Sequence, residues 1–315
     1  MSGLSAQPVV ETVELTKTYD GTTVVDKLNL HIEEGEIFGF LGPNGAGKTT
    51  TILMLLGLTE PTSGVARIGG YNSTREPLKV KRITGYIPER VGFYEDLTAV
   101  QNLAYTARLN GLFGELVMKR VSESLDIVGL SKVTGQRVQE FSRGMKQRLA
   151  IADILVKAPK VAILDEPTLG IDPKGVHQIL DLISGIAKER TMTIILCSHQ
   201  LHQVQRICNR AGIMLKGQIV AEEPLEKLGK KAFTGRRFII EVQLTEISED
   251  IIGHVKQLKG VVGVERSGDL LLVTCTEDLR PQVAKAVVAA EGSLIGMKVQ
   301  SHDLEDIYMK YFAEG

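Results

Sequence analysis

Eight consecutive residues, Gly42-Pro43-Asn44-Gly45-Ala46-Gly47-Lys48-Thr49, have the make-up of a loop that holds phosphate. Glycines let backbone N–H groups turn inward around anionic oxygens, and a helix starting directly after the loop adds the positive end of its dipole. The spacing fits G-x-x-x-x-G-K-[ST], in which Lys48 reaches the β- and γ-phosphates of a nucleotide and the Thr49 hydroxyl ligates Mg²⁺. A second chemical feature is the run Val161-Ala162-Ile163-Leu164-Asp165-Glu166, which places two carboxylates at the end of an apolar strand. A phosphate loop needs one such carboxylate to hold its magnesium, and Asp165, at the strand's end, suits that task. Glu166, one step beyond, is then placed to polarise a water for in-line attack on the γ-phosphate.

These residues work only if the right elements carry them. The apolar run Glu36–Leu41 precedes the glycine loop and reads as a strand; Thr50–Leu58 follows it and reads as a helix, with Thr50 extending the cradle. Val161–Asp165 and Thr193–Cys197 are further short apolar runs, of the sort buried on both faces of a mostly parallel sheet. Between them and the loop, Thr98–Lys157 is mostly helical in pattern. The fold class is therefore α/β: a P-loop NTPase core with a helical subdomain over about residues 90–160. A charged segment, Glu222–Arg237, leads to a boundary near Thr234, giving domains 1–234 and 235–315. In the second, Phe238, Ile240, Val242 and Leu244 alternate with polar residues, and Ile251, Val255 and Leu258 follow helical spacing. Strands at Val261–Arg266 and Leu270–Thr276, joined through Ser267-Gly268-Asp269, a helix with Leu279, Val283, Ala286, Val287 and Ala290 on one face, and a strand at Leu294–Gln300 complete βαββαβ. That is the order of a small α+β, ferredoxin-like unit. A last helix carries Leu304, Ile307, Tyr308 and Tyr311 on one stripe; Asp303, Glu305 and Asp306 at its start suit the helix dipole.

Composition narrows the class. The 315 residues are 43% hydrophobic and 24% charged, which excludes a disordered chain. A net charge of −1 supplies no global field for drawing in a polyanion, so no nucleic-acid partner is expected. The three scattered cysteines, Cys197, Cys208 and Cys275, form neither a C-x-x-C pair nor a disulfide framework, which suits a reducing cytosol. The first ten residues lack the pattern of a secretory peptide, and no apolar run approaches the roughly 20 residues that span a bilayer.

With these motifs in hand, the chain resembles the ATP-binding subunits of ABC transporters. Phe141-Ser142-Arg143-Gly144-Met145-Lys146-Gln147-Arg148 is similar to that family's signature segment, normally Leu-Ser-Gly-Gly-Gln. Ser142 is a good N-cap for the helical run that follows, and with Gly144 makes an anion site. Arg143 and Met145 depart from the family pattern; Arg143 is either a cation near phosphate or an exposed, solvated side chain. The resemblance implies that Ser142 and Gly144 meet the γ-phosphate on the opposite subunit, that His199 contacts the γ-phosphate and helps hold the attacking water, and that Asp172, in Leu169-Gly170-Ile171-Asp172-Pro173, meets the partner's P-loop. It also implies that Tyr19 stacks on adenine. Glu89, in Gly85-Tyr86-Ile87-Pro88-Glu89-Arg90, stands where the family has a glutamine; a carboxylate there can still ligate Mg²⁺. Such Glu-containing versions resemble the exporter-like branch with a separate permease, the ABC-2 type. Val91–Asn110, with Phe93, Tyr94 and Tyr105, would then form part of a groove that receives a helix of the membrane partner.

The function these features imply is a head-to-tail pair of this chain closing on two Mg-ATP. Hydrolysis would be driven by Glu166 and His199, on the cytoplasmic face of a membrane whose polytopic permease is a separate chain. Two other readings differ in class. A soluble ABC-type ATPase of nucleic-acid or ribosome metabolism predicts a coiled-coil insertion, a zinc module, a second ATPase domain or a basic face. A nucleotide-dependent regulatory module predicts a defective hydrolytic site, whereas Glu166 and His199 are both present. The transported substance is not written in this chain, because its pocket belongs to the permease.

Overall fold

The computed structural model describes residues 8–225, 238–268 and 270–300. They fall into two compact units, Met1–Leu225 and Glu226–Gly315. The expected boundary at Thr234, the linker after Leu225 and the terminal helix with Leu304, Ile307, Tyr308 and Tyr311 lie outside the described residues, as does Asp269.

The core of the first unit is a six-stranded sheet in the order β10-β9-β3-β8-β7-β6. Its strands are β3 (Ile37–Leu41), β6 (Thr84–Ile87), β7 (Val161–Asp165), β8 (Thr193–Ser198), β9 (Arg210–Leu215) and β10 (Gln218–Pro224). Five run parallel, and β10 returns antiparallel to β9. Every residue of β3, β7 and β8 is buried, which is why these strands read as unbroken apolar runs rather than as alternation. Register then aligns their carboxyl ends: Leu41 pairs with Ser198, and Asp165 with Cys197. Ligands of open α/β sheets bind at such carboxyl ends.

The chain forms a second, antiparallel sheet that its sequence pattern does not reveal. It has the order β2-β1-β4-β5, from β1 (Val10–Tyr19), β2 (Thr22–Ile32), β4 (Ser63–Ile68) and β5 (Tyr71–Asn72). The register of β1 shifts repeatedly along its length, and Glu14 and Lys27 take positive φ of 48° and 46°. Such bulges break the period of two by which a half-buried strand is read from sequence. Val10, Leu15, Leu28, Leu30 and Ile32 nevertheless reach one core together with Phe38, Phe40, Ile52 and Met54.

Helix α1 (Lys48–Leu55) follows β3 through the glycine loop, and α2 (Pro77–Ile83) precedes β6. The helical region contains α3 (Ala99–Leu109), α4 (Glu115–Ile127) and α5 (Arg143–Lys157). Thr98 and Gln101 form a reciprocal capping box at the start of α3, satisfying two otherwise orphaned donors. Helices α6 (Pro173–Arg190) and α7 (Leu201–Ile207) complete the unit.

The second unit contains β11 (Phe238–Leu244), α8 (Glu249–Lys256), β12 (Val261–Ser267), β13 (Leu270–Cys275), α9 (Arg280–Ala289) and β14 (Leu294–Gln300). Its antiparallel sheet has the order β12-β13-β11-β14. Ile240, Val242, Leu271 and Val273 point to one face and pack with Ile251, Val255, Val283 and Val287 of the two helices. Alternation in the strands and helical spacing in α8 and α9 thus meet in a single core. Among the described residues, no helix is long and apolar enough to cross a membrane.

Candidate functional site

Backbone geometry builds the phosphate loop before any side chain contributes. Gly45 and Gly47 have φ of 84° and 106°, a region where L side chains are strained. Gly47 is the N-cap of α1 and so offers no capping side chain, which leaves the first-turn amides of that helix for an anion. By contrast, Ser142 and Asp172 cap their own helices, accepting from the amides of Met145 at 3.3 Å and Gly175 at 3.1 Å. Gly42, Ala46, Gly47 and Lys48 are buried; Asn44, Gly45 and Thr49 are exposed at the mouth.

Lys48 bends back so that its ammonium donates to the carbonyl oxygens of Gly42 and Pro43 at 2.6 and 2.9 Å. Burial lowers its pKa, and the nearby Glu166 and Asp165 charges act the other way. The ammonium thus sits among acceptors that a phosphate can replace. Thr49 Oγ1 donates to Asp165 Oδ2 at 3.3 Å, joining the end of the loop to the end of β7. Burial raises the pKa of the Asp165 carboxyl; Glu166 and Glu89 raise it too, against Thr49 and Lys48. Behind them the Tyr86 hydroxyl is pushed up to about 12, by burial first and by the Asp165 charge second.

Glu166 leaves β7 in the left-handed region, with φ 48°, and its amide donates to the Cys197 carbonyl at 2.9 Å. This turn presses its carboxylate against the end of β8. Glu166 Oε1 accepts from the His199 amide at 2.8 Å and lies 2.7 Å from His199 Nδ1, while Ser198 Oγ donates to Oε2 at 3.4 Å. Charge-assisted contacts of this kind fix both groups, and they orient the ring with Nδ1 on Glu166.

The structure therefore brings together Lys48, Thr49, Asp165, Glu166 and His199, with Glu89 near enough to act on Asp165. Divalent magnesium fits this donor set: a hydroxyl and a buried carboxylate in contact, with further negative charge that a cation relieves. Among the described residues no group of three or more His, Cys, Asp or Glu is placed to hold a metal without other ligands. Tyr19 stands apart, 42% exposed, with Lys17 Nζ 4.8 Å from its ring centroid. Arg143 is exposed but not merely solvated. Its guanidinium lies against Gly170, where a Cβ would fall 2.1 Å from Nη1, so the signature segment touches the Asp172 loop within one chain.

Beside the loop after β6 is a groove lined by Phe93, Tyr94, Tyr105, Thr106 and Asp153. Tyr94 and Tyr105 meet edge to face with centroids 5.4 Å apart. The Asn102 side chain holds Tyr94 by accepting from its amide and donating to its carbonyl, each at 3.0 Å. Sequence reasoning missed Thr168, Ser198 and Gln203, which surround Glu166 and His199. The readable signal was Gln203, a polar side chain on the face of α7 that otherwise buries Leu201, Val204 and Ile207.

A glycine loop, a buried Lys, a Thr–Asp contact and a Glu–His pair at the ends of parallel strands define a P-loop ATPase. Residues 25–169 match the ABC transporter family. The bacitracin transport ATP-binding protein BcrA of Bacillus licheniformis is 42% identical over 244 residues, 78% of each chain. The linearmycin resistance ATP-binding protein LnrL of Bacillus subtilis (strain 168) is 32% identical over 305 residues, 96% of this chain and 97% of its own. Among solved structures, a dimeric post-hydrolysis state of the ATP-binding cassette MJ0796 bound to ADP and Pi matches with a TM-score of 0.63 and 27% identity, over 69% of this chain and 98% of that one. The chain belongs to the ABC transporter family, as an ATP-binding and ATP-hydrolysing subunit. The relatives named here are transport and resistance proteins, against the reading of an ATPase acting on nucleic acid or ribosomes.

Proposed function

We propose that two copies of this chain close head to tail on two Mg-ATP and drive a separate polytopic permease from the cytoplasmic face of a membrane. The supporting observation is the meeting of Lys48, Thr49, Asp165, Glu166 and His199 at the carboxyl ends of β3, β7 and β8. Gly42, Pro43, Asn44, Gly45, Ala46, Gly47 and Thr50 wrap the phosphates with Lys48 and Thr49, and Tyr19 stacks on the base. Thr49 and Asp165, with Glu89 beside them, would hold Mg²⁺, which supplies charge neutralisation at the β- and γ-phosphates. Glu166 accepts the proton of the attacking water. His199, held by Glu166 through Nδ1, turns Nε2 to the γ-phosphate.

Ser142 and Gly144 of one copy complete the site of the other, and Asp172 crosses to the partner's P-loop. The exposed Tyr94 and Tyr105 groove takes a helix of the permease, and the relatives' names support export as the direction. The ATPase domain spans 1–234 and an accessory domain 235–315.

The test is Mg²⁺-dependent ATP turnover by Glu166→Gln, together with its oligomeric state in ATP. Loss of a general base predicts a fall of about 10²- to 10⁴-fold, with an ATP-stabilised dimer that copurifies a polytopic chain from membranes. Unchanged turnover would sink the assignment of Glu166. A protein that stays off the membrane and brings down ribosomes would sink the permease.

A further inference from the structure

Gln203 has no exposed surface, yet it is not an apolar residue. Its amide oxygen accepts from Thr168 Oγ1 at 2.7 Å and lies 3.5 Å from Ser198 Oγ. Its amide nitrogen donates to Gln200 Oε1 at 2.7 Å, and the backbone N–H of Gln200 donates to Ser198 Oγ at 3.0 Å. Each partner stands next to a group proposed to react. Thr168 lies two residues after Glu166 on the same loop, Ser198 directly precedes His199, and Gln200 directly follows it.

The Ser198 hydroxyl has one proton to give and two acceptors in range, Glu166 Oε2 at 3.4 Å and Gln203 Oε1 at 3.5 Å. The amide oxygen already takes the Thr168 proton, so the carboxylate is the stronger acceptor and Ser198 turns to Glu166. Packing alone does not require an amide at this position, since a leucine fills similar space. What the amide adds is a further tie, beside the direct hydrogen bonds of Glu166 to Cys197 and His199, between Thr168 on the loop after β7 and Gln200 next to His199.

We infer that Gln203 is a positioning residue for hydrolysis, locking the Glu166 loop to the His199 segment so that carboxylate and imidazole keep one geometry. This rests on the roles proposed above for Glu166 and His199. Removing the tie leaves the buried Thr168 hydroxyl without its acceptor and leaves the direct Glu166 contacts to Cys197, Ser198 and His199 alone to hold the geometry. Misplacement of a reacting group by a fraction of an ångström acts on the chemical step and not on phosphate binding by the glycine loop.

The experiment uses the full chain and compares Gln203→Leu, Gln203→Glu, Thr168→Val and Glu166→Gln in steady-state ATP turnover. Gln203→Leu is expected to lower kcat by about tenfold to a hundredfold while KM for ATP stays within about twofold. Gln203→Glu keeps an acceptor for Thr168 and is expected to retain most of the activity. Thr168→Val removes the same bond from its other end, carries the test if Gln203→Leu does not fold, and should add little when the two are combined. A wild-type kcat in Gln203→Leu or Thr168→Val beside an inactive Glu166→Gln overturns the inference alone, as does equal loss in Gln203→Leu and Gln203→Glu. An active Glu166→Gln overturns the underlying reading instead.

Discussion

Gly47 is the position where a single methyl group tests the architecture of the phosphate loop. A Cβ built there would lie 2.6 Å from the Val24 carbonyl oxygen and 2.7 Å from Met214 Cε, with φ at +106°. Two costs follow for Gly47→Ala. Holding an L residue in the left-handed region costs about 1–2 kcal/mol, and forcing a methyl against a backbone oxygen that belongs to β2 costs about 1–3 kcal/mol more. Together they reach roughly 2–5 kcal/mol, a large share of the 5–15 kcal/mol that holds a domain folded. Gly45 is the internal control, because it has φ +84° but nothing within 4 Å of its Cβ. Gly45→Ala should therefore show the backbone cost alone, about 1–2 kcal/mol. Urea unfolding followed by circular dichroism gives both values, provided the m-value is unchanged. ATP affinity should fall more for Gly47→Ala, since its amide and those of the following turn must shift together. Equal stability of the two variants, within about 0.5 kcal/mol, would refute the reasoning: the loop would then not be seated on Val24 and Met214.

Two further perturbations read other parts of the site. Burial raises the pKa of Asp153, with Thr106 and Lys157 opposing, and its Oδ1 is buried without a hydrogen-bond partner. The folded protein thus holds that proton more tightly than the unfolded chain, so this group costs stability as pH rises above the unfolded value of about 4. Asp153→Asn should remove that slope: thermal melts would show the variant gaining on the wild type as pH rises, with the gain levelling off below about pH 4. A constant difference across pH contradicts it. Tyr19→Ala should weaken ATP binding by about 1–3 kcal/mol, the range for stacking of one base on an aromatic side chain, while kcat at saturation is kept and Tyr19→Phe binds as wild type. Unchanged affinity in Tyr19→Ala, measured by titration, removes Tyr19 from the base site.

Much of the candidate site's loop geometry was legible because it is local. Gly42 to Thr49 carry their geometry in the chain itself, through positive φ at Gly45 and Gly47 and a helix that starts at Lys48. β3, β7 and β8 were readable because full burial demands unbroken apolar runs. The sheet β2-β1-β4-β5 was not, since Glu14 and Lys27 interrupt its alternation with positive φ. Arg143 has an exposed position in the helical pattern, and only the fold lays its guanidinium on Gly170.

Sequence by itself determined which residues could handle phosphate and water: a lysine in a glycine loop, a carboxylate pair closing a strand, a serine capping a helix. Tertiary structure decided how they meet. Parallel pairing of β3, β7 and β8 sets Leu41, Asp165 and Ser198 at one edge, and so carries Thr49 to Asp165 and Glu166 to His199 across more than a hundred and more than thirty residues of chain. Thr168, Ser198 and Gln203 gained their place the same way. A hydrogen bond acts over about 3 Å, and no pattern along one chain states which distant atoms the sheet will bring within that reach.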